Sequence, residues 1–515
     1  MKEKIITTNI INFAGGASSD IRDIFPNKFS ITKHFDIFTN PSKLIPHRDM
    51  EDDNTITGLT TMADYDVTDF VVGQVSTTDQ DLFAMGVKGG GSNLTKIFVK
   101  TSPINGAWTA PANAEASAGN IVSGNLVEYK SYLWGFHLNN KLFKYGDITG
   151  AATFTDQVST TSATITSTAQ GIIGPDDILY MPYNNIIGRV NAAGSFTDSV
   201  LTLPSKYRIT SICNYGNSLA IACCIKDPNL FGDMKVYIWD RDSSLSTVTD
   251  IIDFGEGNDL KIGIVDGYLV GMVKKYPNAM VWTNAGAIIV KVVYGNTAHT
   301  IFERRESSTS ILGKALSKGN KMYVLNNCRI IDSEVSGVSQ GTNGIWCIKR
   351  NFDGTWAITV DKIFDNVSST TIVGYGNFAD YWWISDTNGN IVKTNDASTG
   401  QYTFNSVYES QIFDGKLHGL NASYYKKLIG VTVNHEKLPT DGSVLLSYKI
   451  DGGSSWTTIF TNTTDDSLSH SSINIESSGA TLPQYQEIEF RIVSTGGAVI
   501  TGLSFQEKII DKRLY

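Results

Sequence analysis

Cysteine is scarce in this sequence. The five present, Cys213, Cys223, Cys224, Cys328 and Cys347, are odd in number and contain no Cys-x-x-Cys spacing. That pattern argues against a disulfide framework and a thiolate metal site, and makes buried, reduced thiols the expectation. No run of 18 apolar residues occurs, so no membrane-spanning helix is expected. Lys and Arg together number 42 against 51 Asp and Glu, a formal charge of -9, and the basic residues nowhere cluster. A surface built to grip phosphates needs such clusters, so specific nucleic-acid binding is not expected. Proline is also sparse, at 12 residues against 47 glycines, which suits a chain of many tight turns. Long amphipathic helical patterns are missing too, and little α content is expected. The opening stretch, MKEKIITTNIINFAGG, has its apolar run broken by Thr and Asn. It makes a poor signal peptide, and synthesis in a cytoplasm is expected.

What the sequence has in abundance is hairpins. Tyr129 to Tyr145, YKSYLWGFHLNNKLFKY, is a strand, a polar turn and a second strand in one line. Similar units recur from residue 68 to 396. Their first strands begin at Asp81, Tyr132, Ile178, Leu219, Tyr268, Met322 and Tyr381, and their partners at Thr95, Asn140, Asn185, Met234, Ala287, Ile345 and Asn390. Equivalent positions Phe83, Leu133, Leu179, Leu219, Leu269, Tyr323 and Trp382 are spaced by 40 to 59 residues. A repeat of roughly 40 to 50 residues with insertions is that of a four-stranded propeller blade. An apolar run precedes several hairpins, as in TDFVVGQ at Thr68 and IGIVDG at Ile262, and a weaker polar strand follows others, as in GSFTDSV at Gly194. The Ser/Thr-rich stretch Gln157 to Gln170 fits an outer strand and loop of one blade. The expectation is all-β, with about seven blades over residues 61–400. A stack of unrelated hairpins or one large sandwich is the plainer alternative.

The flanks differ. Residues 1–60 show neither period 2 nor period 3.6, and read as an extended arm whose Phe29, Phe35, Ile37, Phe38, Leu44 and Ile45 dock on the propeller or a neighbouring subunit. Its His34, Asp36, His47, Asp49, Glu51, Asp52 and Asp53 match no zinc or EF-hand spacing, so a salt-bridged role is expected and no metal. From residue 401 to 515, seven short alternating strands read as a β-sandwich of jelly-roll type. Leu428, Val431, Leu445, Tyr448, Trp456, Ile459, Ile488, Phe490 and Leu503 are its expected core.

Catalytic motifs are absent. No Gly-x-Ser-x-Gly or His-Glu-x-x-His occurs. KIDGGSSW, Lys449 to Trp456, has the spacing of a sialidase Asp-box, but that box is a structural turn and here appears once, outside the repeats. FRIV, at Phe490 to Val493, resembles the start of a sialidase arginine motif without the other arginines. KGGGSNLTK, Lys88 to Lys96, lacks the Gly-Lys-Ser/Thr ending of a phosphate loop. The carboxylate pairs Asp176/Asp177 and Asp465/Asp466 are sequence neighbours that point apart on a strand. No catalytic residue, cofactor or metal is expected.

The order of parts, a Gly-Gly stretch in NFAGGASSDIRD, then HFDIFTNPSKLIPHRD, a propeller and a terminal sandwich, resembles the tail-nozzle or tail-hub proteins of tailed bacteriophages. The likeness is one of layout over nearly the whole chain and transfers no functional residue. It implies a non-enzymatic virion protein that forms a homo-oligomeric ring, such as a hexamer, contacts other tail proteins and lets DNA pass without specific binding. Two other functions compete. A receptor- or glycan-binding tail protein would use Tyr381, Trp382, Trp383 and Trp456 as a stacking platform, with Phe35 and Phe38 as further contact candidates. A propeller glycosidase would need a converging acid pair.

Overall fold

The computed structural model describes residues 4–17, 19, 27–53, 65–88, 94–111, 115–116, 126–137, 140–228, 230–242, 248–275, 286–306, 311–327, 329–331, 339–341, 344–363, 372–386, 389–396, 401–420, 424–463, 470–475 and 482–510. The chain is all-β. It divides into two compact units interleaved in sequence: Met50–Cys328 with Phe364–Thr394, and Met1–Asp49 with Arg329–Ile363 and Asn395–Tyr515. No described helix is long and apolar enough to cross a membrane.

The first unit is the propeller. Blade one is Asp66–Gln74, Gln80–Lys88 and Leu94–Lys100, with short strands Trp108–Thr109 and Glu115–Ala116 on its outer edge. Blade two is Val127–Tyr129, Tyr132–His137, Lys141–Gly146 and Thr153–Thr160. Blade three is Ile172–Ile173, Leu179–Tyr183, Ile186–Val190 and Phe196–Thr202. Blade four runs through Tyr207–Tyr215, Ser218–Ile225, Gly232–Trp239 and Asp250–Gly257, and blade five through Asp259–Val265, Tyr268–Lys275, Gly286–Tyr294 and Thr297–Glu306. In this unit the sixth repeat is the hairpin Ala315–Lys318 and Lys321–Asn326. Blade seven is Ile372–Phe378, Tyr381–Asp386 and Ile391–Thr394, completed by Met50–Asp52 from the far end of the sequence.

Radial stacking explains why middle strands are apolar at nearly every position. In Ser218–Ile225, the side chains of Leu219, Ile221 and Cys223 pack with Ile187 and Leu201 of blade three. Their neighbours Ala220, Ala222 and Cys224 point the other way, onto Leu260, Leu269 and Val273 of blade five. Alternation is retained, but both faces of the sheet are covered. The ring closes where blade seven meets blade one: Trp383 and Ile391 share a core with Val67, Phe70, Leu82 and Trp108. The inner strands approach so closely there that a Cβ on Gly376 would lie 2.6 Å from the Phe70 Cβ.

The second unit is the sandwich, and it corrects the expected boundaries. The described residues of 1–49 are not an extended arm. Ile5–Ile10 pairs with Ile500–Ile510 in a sheet completed by Tyr425–His435 and His470–Asn474. Phe29–Lys33 pairs with Ser406–Ser410 in a second sheet with Ile488–Thr495, Ser443–Ile450 and Thr457–Asn462. Phe490 and Phe505, one from each sheet, meet with ring centroids 4.8 Å apart. Phe29, Phe35, Ile37, Phe38 and Leu44 are buried in this unit. Gly344–Arg350 and Trp356–Ile363 pair with each other as an antiparallel hairpin. Its Ile358 carbonyl accepts from the Ala17 amide at 2.8 Å. Of the expected sandwich core, Leu428, Val431, Tyr448, Ile488, Phe490 and Leu503 are buried. Leu445, Trp456 and Ile459 are only half-buried, being on the outward register of their strands or at a strand entrance.

Candidate functional site

Polar side chains on the first two strands of the blades and in the segments flanking them make a bond across every seam between blades. Asp69 Oδ2 accepts from the Leu126 amide at 2.8 Å, tying blade one to blade two. Gln170 Nε2 donates to the Leu126 carbonyl at 2.8 Å, and Asn214 Nδ2 to the Ile173 carbonyl at 3.0 Å. Between blades four and five, Thr210 Oγ1 donates to the Leu260 carbonyl at 2.6 Å and Arg208 Nη2 to the Asn258 carbonyl at 2.9 Å. Asp259 then accepts from the Leu312 amide at 3.0 Å at the start of repeat six. Asn327 both donates to the Ile372 carbonyl at 2.7 Å and accepts from the Ile372 amide at 3.0 Å. Ser385 Oγ donates to the Val67 carbonyl at 2.5 Å and completes the circle.

Asp53 is the latch of that circle. It follows the strand that completes blade seven, and its amide donates to the Ile391 carbonyl at 2.8 Å. Its carboxylate accepts from Trp383 Nε1 of the same blade at 2.9 Å, and from Trp108 Nε1 and Lys100 Nζ of blade one at 3.1 and 2.5 Å. All four side chains are buried. Lys393 adds a second tie, to Glu51 at 3.1 Å and to the Ile104 carbonyl at 2.8 Å.

The inner strands enclose an axial cavity of about 1410 Å³. Four basic residues, Arg208, Lys226, Lys261 and Lys314, line it against two acidic ones, Asp69 and Asp227, a local balance opposite in sign to that of the chain. Lys314 is matched by Asp69 at 2.8 Å. Lys261 and Arg208 share Asp259, at 3.8 and 4.0 Å. Burial, and then the neighbouring Arg208 charge, push the Lys261 pKa down against the pull of Asp259. Burial and the Asp69 charge hold the Tyr375 phenol well above its usual value. Its hydroxyl donates to the Lys314 carbonyl at 3.1 Å. Among the described residues, no group of three or more His, Cys, Asp or Glu is placed to hold a metal ion.

The residues singled out from the sequence do not converge here. Trp382 and Trp383 are buried, because neighbouring blades cover both faces of their strand: Trp383 faces blade one, and Trp382 lies 4.8 Å from the Tyr323 ring of the sixth repeat. Tyr381 is half-buried. These three therefore present no exposed platform. Phe35 and Phe38 are buried in the sandwich unit, where Trp456 is half-buried between Lys449 Nζ at 4.7 Å and the Arg491 guanidinium carbon at 5.0 Å from its ring centroid.

The acidic motifs have structural partners. Asp451 has a left-handed backbone, as does Gly452, and accepts from the Gln486 and Glu487 amides at 2.8 and 2.9 Å. Asp176 takes the Tyr180 hydroxyl at 2.7 Å and Asp177 pairs with Lys130. In the N-terminal acidic stretch, Asp49 accepts from the Thr403 hydroxyl at 2.6 Å, and His47 lies 3.1 Å from Asp361. Residues 89–93 of the glycine-rich turn, Asp465, Asp466 and Cys328 lie outside the described residues. The remaining four thiols are buried, and burial raises Cys213 and Cys224 to about 12. Sequence reading missed Asp53, Asp69, Arg208 and Asp259 as a set. For Asp69, Arg208 and Asp259 the available signal was a charged residue inside a largely apolar strand, which is tolerated only when paired.

Neither a protein-family model nor a curated protein matches the sequence. Among solved structures, a chain of the mitotic checkpoint complex is similar with a TM-score of 0.38 and 11% identity, over 68% of this chain and 95% of that one. An exo-β-1,3-galactanase from Phanerochaete chrysosporium gives 0.29 and 10%, over 90% and 100%. PorZ, a bacterial surface component of the type-IX secretion system of Porphyromonas gingivalis, gives 0.37 and 10%, over 78% and 55%. We take no functional argument from likenesses at this level.

Proposed function

We propose that this chain is a structural protein of a tailed-bacteriophage virion, a ring-forming component of the tail nozzle or hub with no catalytic task of its own. The observation that supports the reading is how the carboxylates of the propeller interior are used. Asp53, Asp69 and Asp259 each accept hydrogen bonds across a blade seam. A glycosidase axis would instead present two carboxyl groups to a sugar. A chain that commits its buried charge to rigidity is suited to bear load in an assembly. Its net charge of -9 keeps a passing DNA duplex from adhering.

The test is the mass of the purified protein in solution, together with mass spectrometry of purified tails. A closed ring of identical subunits, and the presence of this chain in the tail at that copy number, are expected. A monomer at high micromolar concentration that is missing from the particle would overturn the proposal. Turnover of a glycoside by the purified chain would overturn its non-enzymatic part.

A further inference from the structure

We propose that the free edge of strand Ile5–Ile10 pairs antiparallel with the same strand of a second copy of this chain, across a two-fold axis. The inference stands apart from the tail reading, since a two-fold contact joins copies in pairs and does not by itself close a ring.

Three observations carry it. The first is an unused edge. Ile5–Ile10 ends its sheet, and among the described residues only Ile500–Ile510 pairs with it. The Lys4 carbonyl accepts from the Ile509 amide at 3.0 Å, which fixes the alternation. Ile6, Thr8 and Ile10 turn their backbone groups to Ile500–Ile510, and Ile5, Thr7 and Asn9 turn theirs outward. A row of backbone donors and acceptors of this kind is satisfied by another strand.

The second is that the edge is undefended. From Ile5 to Ile11 there is no charge and no proline, and the register with Ile500–Ile510 runs without a bulge. The outer strands of blades three and four are protected in both respects: Asp198 and Asp253 place a charge on them, and each has a register shift against its neighbour. Ile5 and Ile11 are 54% and 66% exposed, and stand at the same phase of the strand alternation.

The third is self-complementarity, which selects the occupant. Laid antiparallel on itself with Thr8 at the axis, the strand sets Ile5 opposite Ile11, Thr7 opposite Asn9 and Ile6 opposite Ile10. Every outward-turned residue then meets another outward-turned residue, as an antiparallel ladder requires. Each exposed isoleucine gains an apolar cross-strand partner. Because the segment is uncharged, two copies meet without like-charge contacts.

The experiment mixes two single variants of the full chain, Ile5→Cys and Ile11→Cys, in equal amounts under mild oxidation. The mixture is expected to give a disulfide between positions 5 and 11 of different chains, identified by peptide mass. Either variant alone should give none, since equal positions then lie about 20 Å apart. Pairing with the opposite edge of the sheet, His470–Asn474, or with a different protein would leave the two positions unlinked. Sedimentation of the wild-type chain at high micromolar concentration is expected to show an even number of chains. Thr7→Lys/Asn9→Lys, at two exposed positions, sets lysines opposite one another and is expected to halve that number with an unchanged circular dichroism spectrum. A monomer, an odd closed ring, an unlinked mixture or an unchanged mass for the lysine variant would overturn the pairing. A pair that is missing from purified tails would sink the tail reading alone, and an odd ring present in the tail would sink the pairing alone.

Discussion

Replacing Asp53 by alanine should open the propeller at one seam. The carboxylate serves three buried donors: Lys100 Nζ at 2.5 Å, Trp383 Nε1 at 2.9 Å and Trp108 Nε1 at 3.1 Å. Taking one partner from a buried ion pair costs about 3–5 kcal/mol, and each indole N–H deprived of its acceptor adds about 1 kcal/mol. The three effects share one atom group and do not sum fully, so about 5 kcal/mol is expected for Asp53→Ala. Asp53→Asn keeps the shape and one acceptor oxygen and should cost about half of that. Trp383→Phe removes one hydrogen bond and little volume, at about 1 kcal/mol.

The assay is urea unfolding with hydrogen exchange read on the strands of blades one and seven. Loss of the latch should release protection there first, because the completing strand Met50–Asp52 is held to blade seven by a short ladder. A double-mutant cycle with Lys100→Met isolates the ion pair, and a coupling of about 2 kcal/mol or more is expected. A cost below about 1 kcal/mol for Asp53→Ala, or exchange that rises uniformly over all blades, would refute closure through this carboxylate.

Two further outcomes follow from buried groups. The thiols of Cys213, Cys223, Cys224 and Cys347 should be inert to an aromatic disulfide reagent in the native chain and react only after denaturation, since burial raises the first three and all four are buried. Rapid labelling of any of the four in the native state, mapped by peptide mass, would contradict that packing.

His47, in the sandwich unit, has its pKa held below the ordinary 6.5 by burial and then by Lys362, against the opposing pull of Asp361 and Asp36. Below 6.5 the unfolded chain therefore binds more protons than the folded one. The stability of this unit should be fully present above that value and fall as the pH drops through the window beneath it. His47→Gln should flatten that acid limb in denaturant melts, and an unchanged slope would remove His47 as its source.

The hairpins were legible because their signal is local. YLWGF and KLFKY, or LAIACC and MKVYIWD, carry their own strand propensity and turn chemistry, and their repeat spacing needs no tertiary information. The sandwich strands after residue 401 were legible for the same reason. The N-terminal stretch was not: Ile5–Ile10 and Phe29–Lys33 find their partners some 380 to 500 residues away, at Ile500–Ile510 and Ser406–Ser410. A strand whose partner is that distant has no nearby turn to announce it. The aromatics misled for a related reason. Tyr381, Trp382 and Trp383 read as a rich surface because a single strand does not disclose how many of its faces are covered.

What the sequence determined by itself was therefore the repeating unit, its all-β nature and the absence of catalytic and metal motifs, since all of these depend on residues close together in the chain. Only the tertiary structure decided that Met50–Asp52 completes the last blade, that Asp53 latches it to the first, and that Arg208, Gln170 and Asn214 line one cavity. Ring closure joins residues by their position around an axis, and that position is set by packing between blades.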